Sequence, residues 1–513
     1  MRLIKRGAVL AAVLAVGATG LAPAATKETP AKAVVVAQAT IGAKDPQPKA
    51  FHVNGFVRAY DFTRQNASAG VGAANQASFN LGVSLHGQYD FLATPWSLGA
   101  TYLYANPLNN CTTAASHLSP PCGRNAPPAL NPDDTLPGFE MSTLYEAYLQ
   151  YKGGSLFGRI GNQVINTPWA NPSDSRIKPV AFQGADLSYK LSPRWTIEAM
   201  DMVRFEGRTG SSFDKSTLLT SYPAGNPGFP PNIYNPGGQT ITTNGFALGR
   251  LGYTSPNGFS AELDDYAFAN IANFVWATGT YTWQHSHAKP FLAVQLGSEK
   301  NAGSAVLGTI SSSVYGALAG LSLTPNVTLS LGVDSIPVKS ATIALPAGVT
   351  CTTKNTIAVA PGASLPYFLP TGGTANCVAG APGTATIYYG GIASPYTDAY
   401  ATDPLFTTSI TQGMADRHSP GSSYKLTLSF VSDDKRFHAI LSHAGYNYGN
   451  AAGASSTTEN DVDLFYYLGN VGPGPYHGLV IRNRYAERTQ TYTSSYGGLP
   501  LFKYNRVQLE YDF

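Results

Sequence analysis

The stretch that decides the fold is Lys503-Tyr-Asn-Arg-Val-Gln-Leu-Glu-Tyr-Asp-Phe513. Val507, Leu509, Tyr511 and Phe513 fall on one side of a two-residue period, and Arg506, Gln508, Glu510 and Asp512 on the other. One face is apolar and the other charged. In a soluble sandwich that pattern sets core against water, and the chain usually runs on past it. An aromatic residue ending such a strand leaves an exposed edge unless the strand closes a barrel. The pattern therefore predicts an all-β fold, a transmembrane antiparallel β-barrel whose polar face lines a lumen.

The same alternation runs through the chain. It is clearest at residues 79–91, where Phe79, Leu81, Val83, Leu85, Tyr89 and Phe91 alternate with Asn80, Ser84, His86, Gln88 and Asp90. A strand of that length suits a tilted membrane crossing. Further strands are expected at 51–62, 96–105, 144–151, 156–163, 182–191, 195–206, 244–253, 259–268, 273–284, 291–299, 311–322, 327–334, 424–431, 436–448, 461–469 and 478–487. Short turns and long loops alternate between them. Residues 335–421 are read as one external excursion, and the strand-like stretch 405–412 is assigned to it because single-chain bacterial barrels have even strand numbers. A barrel of about eighteen strands is wide enough for an aqueous channel. No repeat of about 40 residues recurs, which counts against a propeller.

Residues 1–25 have the form of a signal peptide: Arg2, Lys5 and Arg6, then an apolar run, then Ala22-Pro23-Ala24. Ala37-Gln38-Ala39 offers a second cleavage point. Residues 26–50 read as a flexible periplasmic leader, and residues 51–513 as the barrel domain. No later segment carries the roughly 18 uninterrupted apolar residues of a spanning helix; the nearest, 314–333, is broken by Pro325-Asn326.

With 11% aromatic residues, 30 Tyr and only 12% charged residues, the composition suits a lipid belt with aromatic girdles. Without the three basic residues of the signal, 30 Lys and Arg face 30 Asp and Glu. Net charge thus argues for no nucleic-acid partner. Cys111 with Cys122 and Cys351 with Cys377 lie in Pro, Gly and Thr-rich loops, and in an exported chain they predict two local disulfides.

Catalysis finds no support. Neither a Gly-x-Ser-x-Gly elbow nor a His-Glu-x-x-His helix occurs. The close pair His285 and His287 sits in a short turn without a third ligand, so no metal and no cofactor are expected.

Between the fifth and sixth strands runs a segment in which Pro168, Pro172 and Pro179 forbid a ladder while Asp174, Arg176 and Lys178 crowd together. It reads as a rigid, structured loop. Here the sequence resembles the OprD-type outer-membrane porin family. The likeness rests on Ser173-Asp-Ser-Arg-Ile-Lys-Pro-Val-Ala-Phe-Gln-Gly184, on Glu459-Asn-Asp-Val-Asp-Leu-Phe-Tyr-Tyr467 with Gly478-Leu-Val-Ile-Arg-Asn-Arg484, and on Thr411-Gln-Gly-Met-Ala-Asp416. The resemblance implies an eighteen-stranded channel, an inward third loop and a row of basic residues guiding anionic, often carboxylate-bearing, solutes. The long leader and the large Cys-bearing seventh loop depart from the family.

Strand parity supplies candidates for that row. Arg204, Lys425, Arg482, Arg484 and Arg506 each oppose apolar neighbours and are expected in the lumen, as are Arg58, Arg159 and Arg250. A charge on the lipid face near the midplane costs roughly 2 to 4 kcal/mol, so inward placement is expected whatever the function. Glu146, Asp186, Glu198, Glu206, Glu262, Asp264 and Glu510 share the lumen, so part of the row is paired. At the constriction, Arg176 and Lys178 either guide solute or brace the loop against Asp174.

The sequence thus predicts an exported outer-membrane channel for small hydrophilic solutes, favouring anionic or carboxylate-bearing ones, as a monomer or homotrimer. Its partners are the solutes, outer-membrane lipid and, through the C-terminal strand, the barrel-assembly machinery. The alternative is an adhesin or receptor barrel acting through residues 335–421.

Overall fold

The computed structural model describes residues 50–66, 76–108, 140–172, 177–208, 210–219, 242–353, 355–360, 365–370, 376–397, 402–449, 455–468, 478–489 and 501–513. The signal and leader lie outside these, as do Cys111, Cys122, Asp174 and Arg176.

Thirteen strands come first: β1 (Phe51–Gln65), β2 (Gln76–Asp90), β3 (Trp96–Pro107), β4 (Met141–Gly153), β5 (Leu156–Gln163), β6 (Ala181–Lys190), β7 (Trp195–Glu206), β8 (Phe246–Thr254), β9 (Phe259–Phe268), β10 (Ala272–Thr282), β11 (Phe291–Asn301), β12 (Ser311–Thr324) and β13 (Val327–Ile336). Five short ones follow: β14 (Lys339–Ala344), β15 (Val349–Cys351), β16 (Ile357–Val359), β17 (Cys377–Ala379) and β18 (Thr384–Tyr389). The last five are β19 (Gly421–Val431), β20 (Phe437–Tyr448), β21 (Ser455–Tyr467), β22 (Gly478–Arg488) and β23 (Phe502–Asp512).

Each barrel strand pairs antiparallel with the next, β13 pairs with β19, and β23 returns to β1, closing one 18-stranded sheet. The eighteen expected strands are the eighteen found. At the seam the amides of Gly55 and Phe513 exchange backbone hydrogen bonds, both of 3.0 Å. A Cβ at Gly55 would come within 2.2 Å of the Ser84 carbonyl oxygen and 2.9 Å of the Phe513 ring, so only glycine lets β1 sit this close to both neighbours.

Why the sheet closes this way follows from the alternation. On β3, Trp96, Leu98, Tyr102 and Tyr104 point outward and are exposed, while Ser97, Thr101, Leu103 and Ala105 point inward and are buried. The outer surface is accordingly apolar, with Leu331 48% and Leu426 45% exposed; a water-soluble sheet would hide such residues. Near the short-turn rim the aromatic rings pair up, Trp96 with Tyr151 (5.0 Å), Trp195 with Tyr253 (4.6 Å) and Tyr281 with Trp283 (4.7 Å). That is the girdle of a lipid-embedded barrel. No helix among the described residues is long and apolar enough to cross a membrane, and residues 314–333 form the β12–β13 hairpin.

Two expectations need correction. The segment between β13 and β19 is not wholly external. Its first part forms a cap, with β14, β18 and β17 in one small sheet and β15 and β16 in another, around a core of Val349, Ile357, Leu369, Cys377 and Ile387. Cys351 and Cys377 are joined by a disulfide inside it. Its second part, the described residues among 391–420, is almost entirely buried and lies inside the barrel. The stretch 405–412 forms no strand there.

The second correction is Arg204. A register shift between Gln183 and Gly184 gives β7 an extra residue at Val203, so Arg204 aligns with Gln183 and Phe205 with the buried Phe182. A bulge reverses the parity beyond it. Arg204 is exposed on the outer face, not in the lumen.

Candidate functional site: the lumen and its constriction

The lumen is narrowed by three segments that meet inside it. The loop between β5 and β6 turns inward at Thr167, whose hydroxyl donates to the Ala170 carbonyl (2.7 Å), and the prolines around it remove competing donors. Trp169 then packs on Phe274 and Trp276, with ring centroids 4.9 and 5.2 Å away, and its amide donates to the Tyr266 hydroxyl at 3.2 Å. The Asn171 amide reaches the Thr402 carbonyl at 2.6 Å, tying this loop to the inner limb of the β13–β19 segment. The loop after β7 joins them through the Leu218 amide and Pro395 carbonyl (2.9 Å). Aromatic and apolar side chains of β6–β13 complete this filled side.

The inner limb is held by carboxylates projecting from the wall. The Ala393 amide donates to Glu299 (2.8 Å), the amide and hydroxyl of Thr407 to Asp334 (2.8 and 2.7 Å), and those of Thr411 to Glu459 (2.7 and 2.8 Å). Bonds also run the other way. Lys425 donates to the Thr408 carbonyl and Arg488 to the Thr411 carbonyl, both at 2.6 Å. Lys425, expected in the lumen, thus fastens the limb.

Lys178 is likewise structural. It is fully buried, 3.1 Å from Glu206, with the Thr143 hydroxyl donating to the same carboxylate at 2.8 Å. Burial lowers the Lys178 ammonium to about 8, against the opposing pull of Glu206. Its partner among the described residues is Glu206, and it braces the loop without facing the pore.

On the opposite side stands a basic wall. Arg482 grips Asp463 through two bonds (2.8 and 2.6 Å), and Arg484 reaches the same carboxylate at 2.9 Å. Arg506 is register partner to Arg484, its guanidinium 4.9 Å from the Tyr60 ring centroid. Arg58 pairs with Glu510 across the seam and stacks on Phe56 at 4.2 Å. Within this group Arg482 and Arg484 share Asp463, and Arg506, itself fully buried, stands beside them. Asp463 was missed as their partner, although Asp461 and Asp463 alternate with Val462 and Leu464 just as the arginines alternate with Ile481 and Asn483.

Arg159 and Arg250 lie on β5 and β8. Arg159 donates to Gln150 (2.6 Å) and stacks over Tyr148 at 4.0 Å. Arg250 is surrounded by Asp264 (2.7 Å), Glu198 (3.0 Å) and Glu262 (3.6 Å), so its charge is spent on the wall. Among the described residues no group of three or more His, Cys, Asp or Glu is arranged to hold a metal.

No protein-family model matches the sequence, and no curated protein does. Solved structures match in fold. The outer membrane protein OpdK of Pseudomonas aeruginosa is 14% identical, with a TM-score of 0.60 over 90% of this chain and 98% of that one. A BenF-like porin from Pseudomonas fluorescens Pf-5 is 11% identical with a TM-score of 0.63 over the same shares, 90% and 98%. OccAB4 of Acinetobacter baumannii is 13% identical with a TM-score of 0.62, over 91% and 99%. The fold is that of OprD-type porins, as the resemblance read from residues 173–184 and 459–484 implied.

Proposed function

We propose that this chain, built on the OprD-type porin fold, is an outer-membrane channel for small hydrophilic solutes that favours anionic, carboxylate-bearing ones. The observation that carries the preference is the pair Arg482 and Arg484 on the one carboxylate of Asp463, with Arg506 in register beside Arg484. A cluster of guanidiniums on one side of a narrowed lumen lowers the cost of moving an anion out of bulk water. OpdK, one of the structural neighbours, has been solved with vanillate, an aromatic carboxylate. Arg58, Arg159 and Arg250 serve this row less, because carboxylates or an amide already engage them. The role is passive diffusion, with no catalytic step.

The test is single-channel conductance of the refolded protein in a planar bilayer, with benzoate added, beside Arg482→Ala/Arg484→Ala. Discrete openings blocked by benzoate in the parent, and at least several-fold less in the variant, are expected. Equal block in both would overturn the anion preference; no openings from heat-modifiable, folded barrels would overturn the open channel and favour the adhesin reading.

A further inference from the structure

The inward residues of β1 include Phe56, Arg58, Tyr60, Phe62 and Arg64, rings interleaved with guanidiniums. The same pairing continues across the basic wall. Arg58 lies over the Phe56 ring at 4.2 Å, Arg482 over Phe465 at 4.4 Å, Arg488 over Phe502 at 4.2 Å and Arg506 over Tyr60 at 4.9 Å. All four are cation–π distances. A ring held against one face of a guanidinium displaces the water that face would carry, while Glu510 takes an N–H of Arg58 and Asp463 takes two of Arg482. Little of the charge is left wet: the side chains of Arg482 and Arg484 are only 7% and 3% exposed. Phe56 and Phe465 are half-buried, so ring surface stands in the lumen beside the charge. The wall is charged and poorly hydrated at once.

We infer that these rings decide which anions the channel takes: singly charged ones with delocalised charge, monocarboxylates among them, over compact, multiply charged ones such as sulfate or dicarboxylates. An anion at this wall gives up part of its own water and finds fixed guanidiniums and ring surface in its place. A guanidinium is itself weakly hydrated, so its side of the exchange costs little. The anion's side rises steeply with charge density, because removing an ion from water costs more the more concentrated its charge. Attraction by the arginines alone would rank the anions the other way, with the doubly charged ones first. Phe56 and Phe465 are therefore specificity-determining residues, the arginines supplying attraction and the rings the discrimination. This rests on the channel reading proposed above.

The experiment measures reversal potentials of the refolded protein in a planar bilayer, with potassium chloride on one side and potassium thiocyanate or potassium sulfate on the other. In the parent, thiocyanate is expected to be several-fold more permeant than chloride, and sulfate several-fold less. Phe56→Ala/Phe465→Ala should bring the three toward the order of their free mobilities, with chloride still preferred to potassium because the arginines remain. Phe465→Tyr, which keeps the ring, should keep the parent order. Heat-modifiable migration shows that each variant folds. A parent in which thiocyanate and chloride are equal or sulfate leads, or an unchanged order in the double-alanine variant, would overturn the role of the rings and leave the anion preference standing. A parent that passes potassium in preference to chloride would overturn both.

Discussion

Lys178 shows how a single side chain can be misjudged from its neighbours in sequence. It stands among Asp174 and Arg176 in the chain, yet its partner, Glu206, is supplied by the end of β7. Both are buried, so removing one strands the other. Lys178→Met is expected to cost about 3–5 kcal/mol in denaturant unfolding from lipid vesicles, and Lys178→Met with Glu206→Gln to recover most of it. A single mutant within about 1 kcal/mol of the parent would show that the pair carries little. Arg204 teaches the complementary lesson. A two-residue period reports facing faithfully until one residue is inserted, and nothing in Asp-Met-Val-Arg-Phe-Glu announces the bulge at Val203. Arg482, Arg484 and Arg506 were legible because their strands run without interruption.

Among elements, the barrel strands were readable from alternation and the inner limb was not. Its anchors are backbone amides and threonine hydroxyls meeting wall carboxylates, and such bonds leave no periodic mark in a Gly, Thr and Pro-rich segment. Asp403 and His418 of the limb are both shifted by burial, in opposite senses. Burial pushes the Asp403 carboxyl up to about 7, with Asp334 and Asp416 adding to it. Burial against Phe368 brings His418 down to about 4, with Arg417 adding to it and the bond to the Ile392 carbonyl opposing it. An acid held above its ordinary 3.8 binds more protons when the limb is docked, so docking weakens as pH rises from about 4 through 7. A histidine held below 6.5 binds fewer, so docking weakens as pH falls from 6.5 through about 4. The slopes oppose each other. Protease access to the limb is therefore expected to be nearly flat with pH in the parent, to rise on acidification in Asp403→Asn, and to rise toward neutrality in His418→Gln. Parallel profiles in all three proteins would refute the assignment.

At the scale of the molecule, the seam is the weak line of the barrel. Gly55→Val places side-chain atoms against the Ser84 carbonyl and the Phe513 ring. It is expected to abolish the heat-modifiable form, whereas Gly87→Val, whose nearest contact is Phe51 at 3.5 Å, should keep it. A fully heat-modifiable Gly55→Val barrel would show that the seam has slack. The strand count was legible here because closure demands parity, and the cap was not, because its core is a small unit of its own. The seam also sets an order in time. Arg58 and Glu510 meet across 452 residues of chain, and loop closure over such a distance is slow compared with pairing neighbouring hairpins. Seventeen of the eighteen pairings join strands that follow one another around the growing sheet, and β1 must wait with one edge open until β23 arrives. During that wait the nascent sheet exposes both an unpaired edge and its whole apolar exterior, so the protein is at its most vulnerable to misassociation just before its last strand docks.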